Sequence, residues 1–498
     1  MHRRARLLLL AMCLPLLTST ALAWACEQAP PSPAPAPAQA ASEAWGGTIS
    51  APTGPLHFSV VFDRGASPVA AKLSIPDQGL SDHALREVSR DGTLMNFTLA
   101  MPGWPKNAFA VFKATAAADG QTATGVMHQM GMDMPVEMKR LKEGEVAGPR
   151  RPQHPKPPYP YTQREVLVLS ADGAKITGTL TVPEEAKFGK GPHPAAVMIT
   201  GSGTQDRDES LMGHKPFLVI ADHLTRAGLA VLRVDDRGWN NNFDPTRGQG
   251  TTDDFALDAA ACVEFLSTQP EVDAKRVGLI GHSEGGLIAP MVAAKDTRVA
   301  FLVLLAGTGV RGDVIARRQI VSLPAAAGAP ANNPQTEAQA DRLIAALERD
   351  ADSDELLAIL RDLGKAQMGG MEPTGEVAKQ LEQNIHASLG RLQTPWFKRF
   401  LRIDPAEHLA KVKAPVLAVN GGLDMQVEAK ENLAGIAAAL KAGGNTDYET
   451  HELAGLNHLF QTAKTGAMSE YAQIEETFSP AALEMMTAWV RKRAGLEK

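Results

Sequence analysis

From residue 161 onward the chain alternates short, unbroken apolar runs with longer stretches of helical periodicity. The runs Ala195–Thr200, Ala230–Val234, Val277–Ile280, Ala300–Leu305 and Pro415–Val419 show no polar alternation. Such runs suit parallel strands covered on both faces, and their alternation with helices predicts an α/β domain. Between Gly309 and about Asp404 the strand pattern stops. There Ser353 reads as an N-cap, Leu356, Leu357, Leu360 and Leu363 follow at helical spacing, and Gly364 reads as a stop. The segment at about 310–404 is therefore expected to be a helical cap inserted between two core strands, over the sheet edge where active sites form. A helical bundle unrelated to the site is the alternative.

The first third follows a different grammar. Leu56–Phe62, Leu94–Leu99 and Ala108–Lys113 are short β-like runs, with Asp91–Gly92 and Asp119–Gly120 as turns between strands. They predict a small, mostly antiparallel, β-rich domain over 45–142. Residues 143–160 are rich in proline and read as a linker, and the Pro/Ala tract within 26–44 reads as an extended spacer. Residues 1–25 carry Arg3, Arg4 and Arg6, an apolar run Leu7–Leu17 and small residues around Ala23-Trp24-Ala25, the layout of a secretory signal peptide. The run is too short for a permanent membrane span, which needs about twenty residues. The protein is expected to be exported, periplasmic or secreted. Cys26 follows the small residues, so a lipid anchor at Cys26 is the alternative, and the only membrane association expected.

Composition narrows the classes further. The chain has 498 residues, 44% of them hydrophobic and 21% charged, enough apolar material for large packed cores. Lys and Arg total 50 against 56 Asp and Glu, a formal net charge of -6, and no basic block is present to hold a polyphosphate backbone. Nucleic acid is excluded as a partner on that ground. Three cysteines, Cys13, Cys26 and Cys262, offer no disulfide framework, so stability must come from burial. Nothing in the pattern sets an oligomeric state.

The chemistry concentrates at Gly281-His282-Ser283-Glu284-Gly285, a G-x-S-x-G match. The pattern alone is weak, but here it follows the strand Val277–Ile280 and opens a helix of small and apolar residues. That strand-turn-helix is the context a nucleophile elbow requires, because flanking glycines permit the tight turn that lifts a serine hydroxyl out of the sheet. Ser283 is thus the expected nucleophile. A serine hydroxyl needs a base to take its proton and a third group to orient that base. In the chain order serine, acid, histidine, Asp424 lies in the turn after Pro415–Val419, and His458 lies in the loop after Thr450–Leu453. The intervening residues hold one helix, Lys430–Lys441, and one strand, so both side chains can reach one sheet edge. Asp447 and His451 are rivals, but they fall at or inside the last strand. The backbone N–H of Glu284 is the expected first oxyanion donor. The second is expected from Gly201-Ser202-Gly203-Thr204, with Gly203 favoured over Thr204. His282 and the side chain of Glu284 are expected to shape the elbow.

Gly281-His-Ser-Glu-Gly-Gly286, the Gly201-Ser-Gly203 loop with Asp206-Arg207-Asp208, Val234-Asp-Asp-Arg-Gly238 and Pro395-Trp-Phe397 before Asp404-Pro405 together resemble the esterase D-type carboxylesterases of the α/β-hydrolase superfamily. The resemblance spans roughly 160–498. It implies an α/β-hydrolase fold over 161–498 with a helical lid insertion, preceded by the β-rich domain. It also implies a Ser283, Asp424, His458 triad and activity on short-chain acyl esters. Members carry a Gln-x-Gly turn in the β-rich domain, here Gln129-Met130-Gly131. Trp239-Asn-Asn-Asn242 departs from the family's usual Gly/Ser-rich turn.

Two features point elsewhere. Met127, Met130, Met132, Met134 and Met138 with His128 suggest a copper site, since thioethers suit Cu(I), but a hairpin packing adaptable side chains into a core explains them more simply. Gly201-x-Gly203 after a strand starts a dinucleotide fingerprint, but position 206 is Asp, and no ribose-binding acid follows at the right spacing. The expected function is an exported serine hydrolase on a small-molecule ester, needing no metal and no organic cofactor, with Trp396 and Phe397 lining its pocket. The same triad would serve a peptidase or an acyltransferase. A non-catalytic envelope ligand-binding protein is the alternative of another class.

Overall fold

The computed structural model describes residues 42–498 except 52–53, 76–79, 102–105, 130, 143–144, 146–147, 240–249, 327 and 498. The expectations for residues 1–25, for Cys26 and for most of the 26–44 spacer lie outside the described residues, as does Met130 of the expected Gln-x-Gly turn. The last three residues of that spacer belong to a strand.

Nine strands form the N-terminal sheet: β1 (Ser42–Ala51), β2 (Gly54–Asp63), β3 (Ala70–Ile75), β4 (Leu80–Ala84), β5 (Arg86–Asp91), β6 (Leu94–Leu99), β7 (Ala110–Ala116), β8 (Thr122–Gln129) and β9 (Met132–Arg140). Their order is β4-β3-β2-β1-β9-β8-β7-β6-β5, with every neighbouring pair antiparallel. The two outermost strands are consecutive in the chain, parted only by Leu85. Rings from distant strands also meet: Phe62 of β2 lies 5.8 Å from Phe97 of β6, and Phe58 of β2 lies 5.4 Å from Phe112 of β7. The sheet therefore curls around one apolar interior. In β7, Ala110, Phe112, Ala114 and Ala116 alternate inward, the period of two that a half-buried strand requires. Met127, Met134 and Met138 are buried in this core, whereas His128 is exposed beside Asp133. Three methionines of the stripe are thus core packing, while Met132 is exposed.

The second sheet has eight strands: β10 (Thr162–Leu169), β11 (Lys175–Val182), β12 (His193–Ile199), β13 (Ala230–Val234), β14 (Val272–His282), β15 (Val299–Leu305), β16 (Val416–Gly421) and β17 (Tyr448–Leu453). Their order is β10-β11-β13-β12-β14-β15-β16-β17. The first three are antiparallel neighbours, and every later pair is parallel. From β12 the chain runs to β13 on one side and then to β14 on the other, so a topological switch point falls between β12 and β14. Crevices at such points, beyond the carboxyl ends of the strands, are where α/β sheets place ligands.

Both faces of this sheet are covered. Phe217, Ile220 and Leu224 of the helix Pro216–Arg226 and Leu483, Met486 and Val490 of Pro480–Arg493 pack on one face. Phe255, Cys262 and Val263 of Thr252–Ser267, Ile288 of Glu284–Ala293 and Ile436 of Ala429–Ala442 pack on the other. This double cover is why the central strands read as continuous apolar runs.

Between β15 and β16 lie the helices Gly312–Ala326, Pro334–Glu348, Ser353–Gln367, Gly375–Leu392 and Pro395–Arg402, with a core of their own that includes Leu343, Leu347, Leu356, Ile359 and Ile385. Two expectations are corrected here. Asp352 rather than Ser353 is the N-cap, its carboxylate accepting the Glu355 N–H at 2.9 Å, and an acid at that point also meets the positive end of the helix dipole. Gly364 does not stop the helix; a Cβ there would lie 2.8 Å from Leu381 of the next helix, so glycine serves packing. Among the described residues no helix is long and apolar enough to cross a membrane.

Arg237, just past β13, is buried and binds Asp258 through Nε at 2.7 Å and Nη2 at 2.5 Å, and Asp172 through Nη1 at 3.0 Å. One guanidinium thus joins β13, the helix Thr252–Ser267 and the β10–β11 turn. Arg237→Leu leaves these carboxylates without their counter-charge and is expected to destabilise the protein by about 3–5 kcal/mol, the range for breaking a buried ion pair. Thermal and urea unfolding check this, and unchanged midpoints would contradict it.

Candidate active site

The serine motif occupies the turn from β14 into the next helix. β14 ends at His282 and a helix begins at Glu284, so Ser283 alone makes the turn, at φ 54° and ψ -115°. A non-glycine residue there is strained, and such strain persists only where surrounding contacts over-determine it. The Ser283 N–H donates to the Leu305 carbonyl at 2.8 Å, and the Ser283 carbonyl accepts from Gly286 at 2.9 Å. Close approach explains the flanking glycines: a Cβ on Gly281 would lie 2.0 Å from the Gly285 oxygen, and one on Gly285 would lie 2.1 Å from the Ile199 oxygen. As the first helical residue, Glu284 has an N–H without an intrahelical acceptor, at the positive end of the helix dipole.

The structure brings Asp424 and His458 together from loops 34 residues apart. Nδ1 of His458 lies 2.7 Å from Oδ2 of Asp424, and both side chains are buried. The other oxygen of Asp424 accepts the N–H groups of Gln426 at 2.8 Å and Val427 at 2.9 Å. The His458 loop is braced by Asn457, whose Oδ1 accepts from Leu459 and Gln461 and whose Nδ2 donates to the Gln461 side chain. The Tyr471 hydroxyl accepts the His458 backbone N–H. The rivals lie elsewhere: Asp447 pairs with Arg493, and His451 faces Glu449 at the surface.

The loop after β12 meets the elbow directly, since a Cβ on Gly201 would lie 3.3 Å from the Ser283 Cβ. The Gly201 N–H is taken by Glu209 Oε1 at 2.8 Å, which leaves the donors further along the loop. Gly203 turns it at φ 87°. The charged residues quoted in the sequence motifs hold this loop in place. Arg207 binds both oxygens of Asp235, Asp208 pairs with Arg233 and Lys215, and Asp236 accepts from Thr200 at 2.8 Å and from the Gln205 N–H at 2.9 Å. Burial pushes the Asp236 carboxyl well above the usual carboxylate range, against the hydrogen bonds it receives.

Trp396 and Phe397 lie side by side but make different contacts. Nε1 of Trp396 donates to the Glu284 carboxylate at 2.9 Å, which ties the helix Pro395–Arg402 to the elbow. The partly buried Phe397 ring lies 5.9 Å from the Trp396 ring and packs against the core of the inserted helices. The Glu284 side chain does more than shape the turn, also receiving the Thr252 hydroxyl at 2.6 Å and the Ser202 hydroxyl. Sequence reasoning missed Glu209, Thr252 and Tyr471 because no local pattern marks them. Among the described residues, no three His, Cys, Asp or Glu side chains gather to hold a metal.

Burial raises the Glu284 carboxyl above its ordinary 4.5, opposed by its hydrogen bonds from Thr252, Trp396 and Ser202. Ionisation is then harder in the folded than in the unfolded chain, so stability is lost as pH climbs from about 4.5 through the raised value. Glu284→Gln removes that loss. Its thermal midpoint relative to the parent protein is expected to be more favourable at pH 8 than at pH 4.5, and a pH-independent difference would refute the assignment.

The chain is 27% identical to Esterase EstD of Thermotoga maritima over 299 residues, covering 58% of this chain and 61% of that protein. It is 27% identical to 2,6-dihydropseudooxynicotine hydrolase of Paenarthrobacter nicotinovorans over 148 residues, covering 30% of this chain and 36% of that protein. The alignments therefore span less than two thirds of either relative. A crystal structure of the alpha/beta hydrolase GrgF from Penicillium sp. sh18 matches 67% of this chain and 99% of its own, at 17% identity and a TM-score of 0.42. With residues 196–467, more than half of its length, matched by the family model, the chain belongs to the alpha/beta hydrolase family.

Proposed function

We propose that this protein is an exported serine carboxylesterase of the esterase D type, hydrolysing short-chain acyl esters through an acyl-enzyme on Ser283. One observation carries the reading: the buried 2.7 Å contact between His458 and Asp424, on loops at the same sheet edge as the strained Ser283 turn. The similarity to Esterase EstD supports the ester as substrate. The signal-like segment at 1–25 supports export to the periplasm or beyond.

In this mechanism Ser283 Oγ attacks the ester carbonyl while His458 Nε2 takes its proton. Nδ1–H stays bonded to Asp424, which fixes the tautomer and stabilises the imidazolium. The N–H groups of Glu284 and, in the loop after β12, Gly203 hold the oxyanion; losing one such donor typically costs about a hundred- to a thousandfold in turnover. His458 then protonates the departing alcohol. Water, deprotonated by the same imidazole, releases the acid. The inserted helices act as the lid, fastened to the elbow by the Trp396–Glu284 bond, and Trp396 borders the acyl pocket.

Ser283→Ala is expected to lower turnover of p-nitrophenyl acetate by about five to six orders of magnitude and to abolish fluorophosphonate labelling. Asp424→Asn, which leaves the shape intact but favours the wrong tautomer, is expected to lower kcat by about ten-thousandfold. Retention of more than a few percent of activity in Ser283→Ala refutes the serine mechanism. An acyl series from acetate to decanoate should peak among the short chains, and preferred cleavage of a peptide anilide would move the assignment to a peptidase.

A further inference from the structure

Beneath the serine turn lies a second histidine–carboxylate contact that the mechanism above does not use. Nδ1 of His282 lies 2.9 Å from Oε1 of Glu209, and Nε2 of His282 lies 3.0 Å from the backbone carbonyl of His458. Both side chains are more than nine-tenths buried. A carbonyl oxygen can only accept, so Nε2 carries a proton. Opposite Nδ1, the same Glu209 oxygen accepts the Gly201 N–H. The His282 ring also stands 4.8 Å from the His458 ring. Burial alone would discharge His282, but the facing Glu209 carboxylate and the His458 carbonyl outweigh it and hold its pKa above the usual histidine value.

From this geometry we infer that Glu209 and His282 form a positioning pair that clamps the loop bearing His458 to the serine elbow and to the loop after β12. The inference rests on the reading of His458 as the general base. Three segments far apart in the chain meet on this pair: the loop after β12 through Gly201, the end of β14 through His282, and the loop after β17 through the His458 carbonyl. The clamp acts on the backbone of His458, while Asp424 acts on its ring. Neither member of the pair touches the reacting atoms, so their contribution is geometric. It should appear in kcat, because a misplacement of about 1 Å at a catalytic group costs on the order of a hundredfold.

The two ring nitrogens allow the clamp to be cut at either side. In His282→Gln the terminal amide takes the place of Nε2 and still reaches the His458 carbonyl, whereas in His282→Asn the amide takes the place of Nδ1 and reaches only Glu209. His282→Asn is expected to lose about a hundredfold in kcat with KM within about threefold, and His282→Gln to recover at least about tenfold of that loss. Fluorophosphonate labelling of Ser283 should slow in step with kcat. Thermal unfolding checks that the variants are folded at the assay temperature. Glu209→Gln, neutral and of the same shape, is the second probe, with an expected loss in kcat of about tenfold and an unchanged KM.

Equal kcat in the Asn and Gln variants, or parental kcat in folded Glu209→Gln, overturns the clamp. If the Asn variant does not fold, the Glu209→Gln result decides. Failure of the serine reading looks different, since it requires Ser283→Ala to keep its activity or the parent protein to resist labelling.

Discussion

The site depends on one steric constraint, the contact between the Gly281–Gly285 turn and the carboxyl end of β12. β14 can hand over to a helix within a single residue only because two missing side chains let backbone pack on backbone. The Gly285 Cα sits where any Cβ would strike the carbonyl of Ile199. That contact stacks the elbow on the central strands, leaves Ser283 in a conformation that only surrounding contacts can sustain, and brings the loop after β12 against it. The parallel order around β12 and β14 then decides what else can arrive. Loops following β16 and β17 open on the same edge, and from them Asp424 and His458 meet.

Around this turn the protein buries ionisable groups at a density that stability alone does not favour. Glu209, Glu284, His282, Asp424 and His458, with the half-buried Asp236, all lie within the rim or just below it, and each is surrounded by donors or acceptors from other segments. Removing such groups from water costs several kcal/mol apiece, and the cost is recovered only where partners satisfy them. Here the partners come from the loops after β12, β16 and β17, from the end of β14 and from the helices Thr252–Ser267 and Pro395–Arg402. The rim is therefore held together by the charges it buries, and its geometry is sensitive to the loss of any one partner. Further out, Arg207 and Arg237 repeat the arrangement with guanidinium groups, fixing the segments on which the rim rests.

The two parts of the chain differ in how their cores were recognisable. In the parallel sheet, strands buried on both faces read as plain apolar runs, and five of the eight strands were visible that way. β10 and β11 escaped notice because they lie at the antiparallel edge, where residues such as Leu167 and Leu169 remain exposed and polar positions interrupt the run. In the N-terminal sheet three of the nine described strands stood out as β-like runs, and the methionine stripe pointed to a hairpin where β8 and β9 lie. Strands such as Arg86–Asp91 carry hardly any buried side chains, and their pairing is imposed by neighbours rather than by their own pattern. The helical insertion was legible as helix, but its ends were not, since the cap at Asp352 and the packing role of Gly364 depend on which helix lies alongside.

By itself the sequence determined the α/β alternation, the serine turn and the order in which an acid and a histidine follow it, because periodicity and glycine spacing are local properties that one stretch of chain expresses without help. Only the tertiary structure decided which loops share an edge, that Trp396 bonds Glu284, and that Glu209 and His282 stand beneath the turn. Those outcomes depend on strand order and on close packing between segments tens to hundreds of residues apart, and no window of sequence contains both partners.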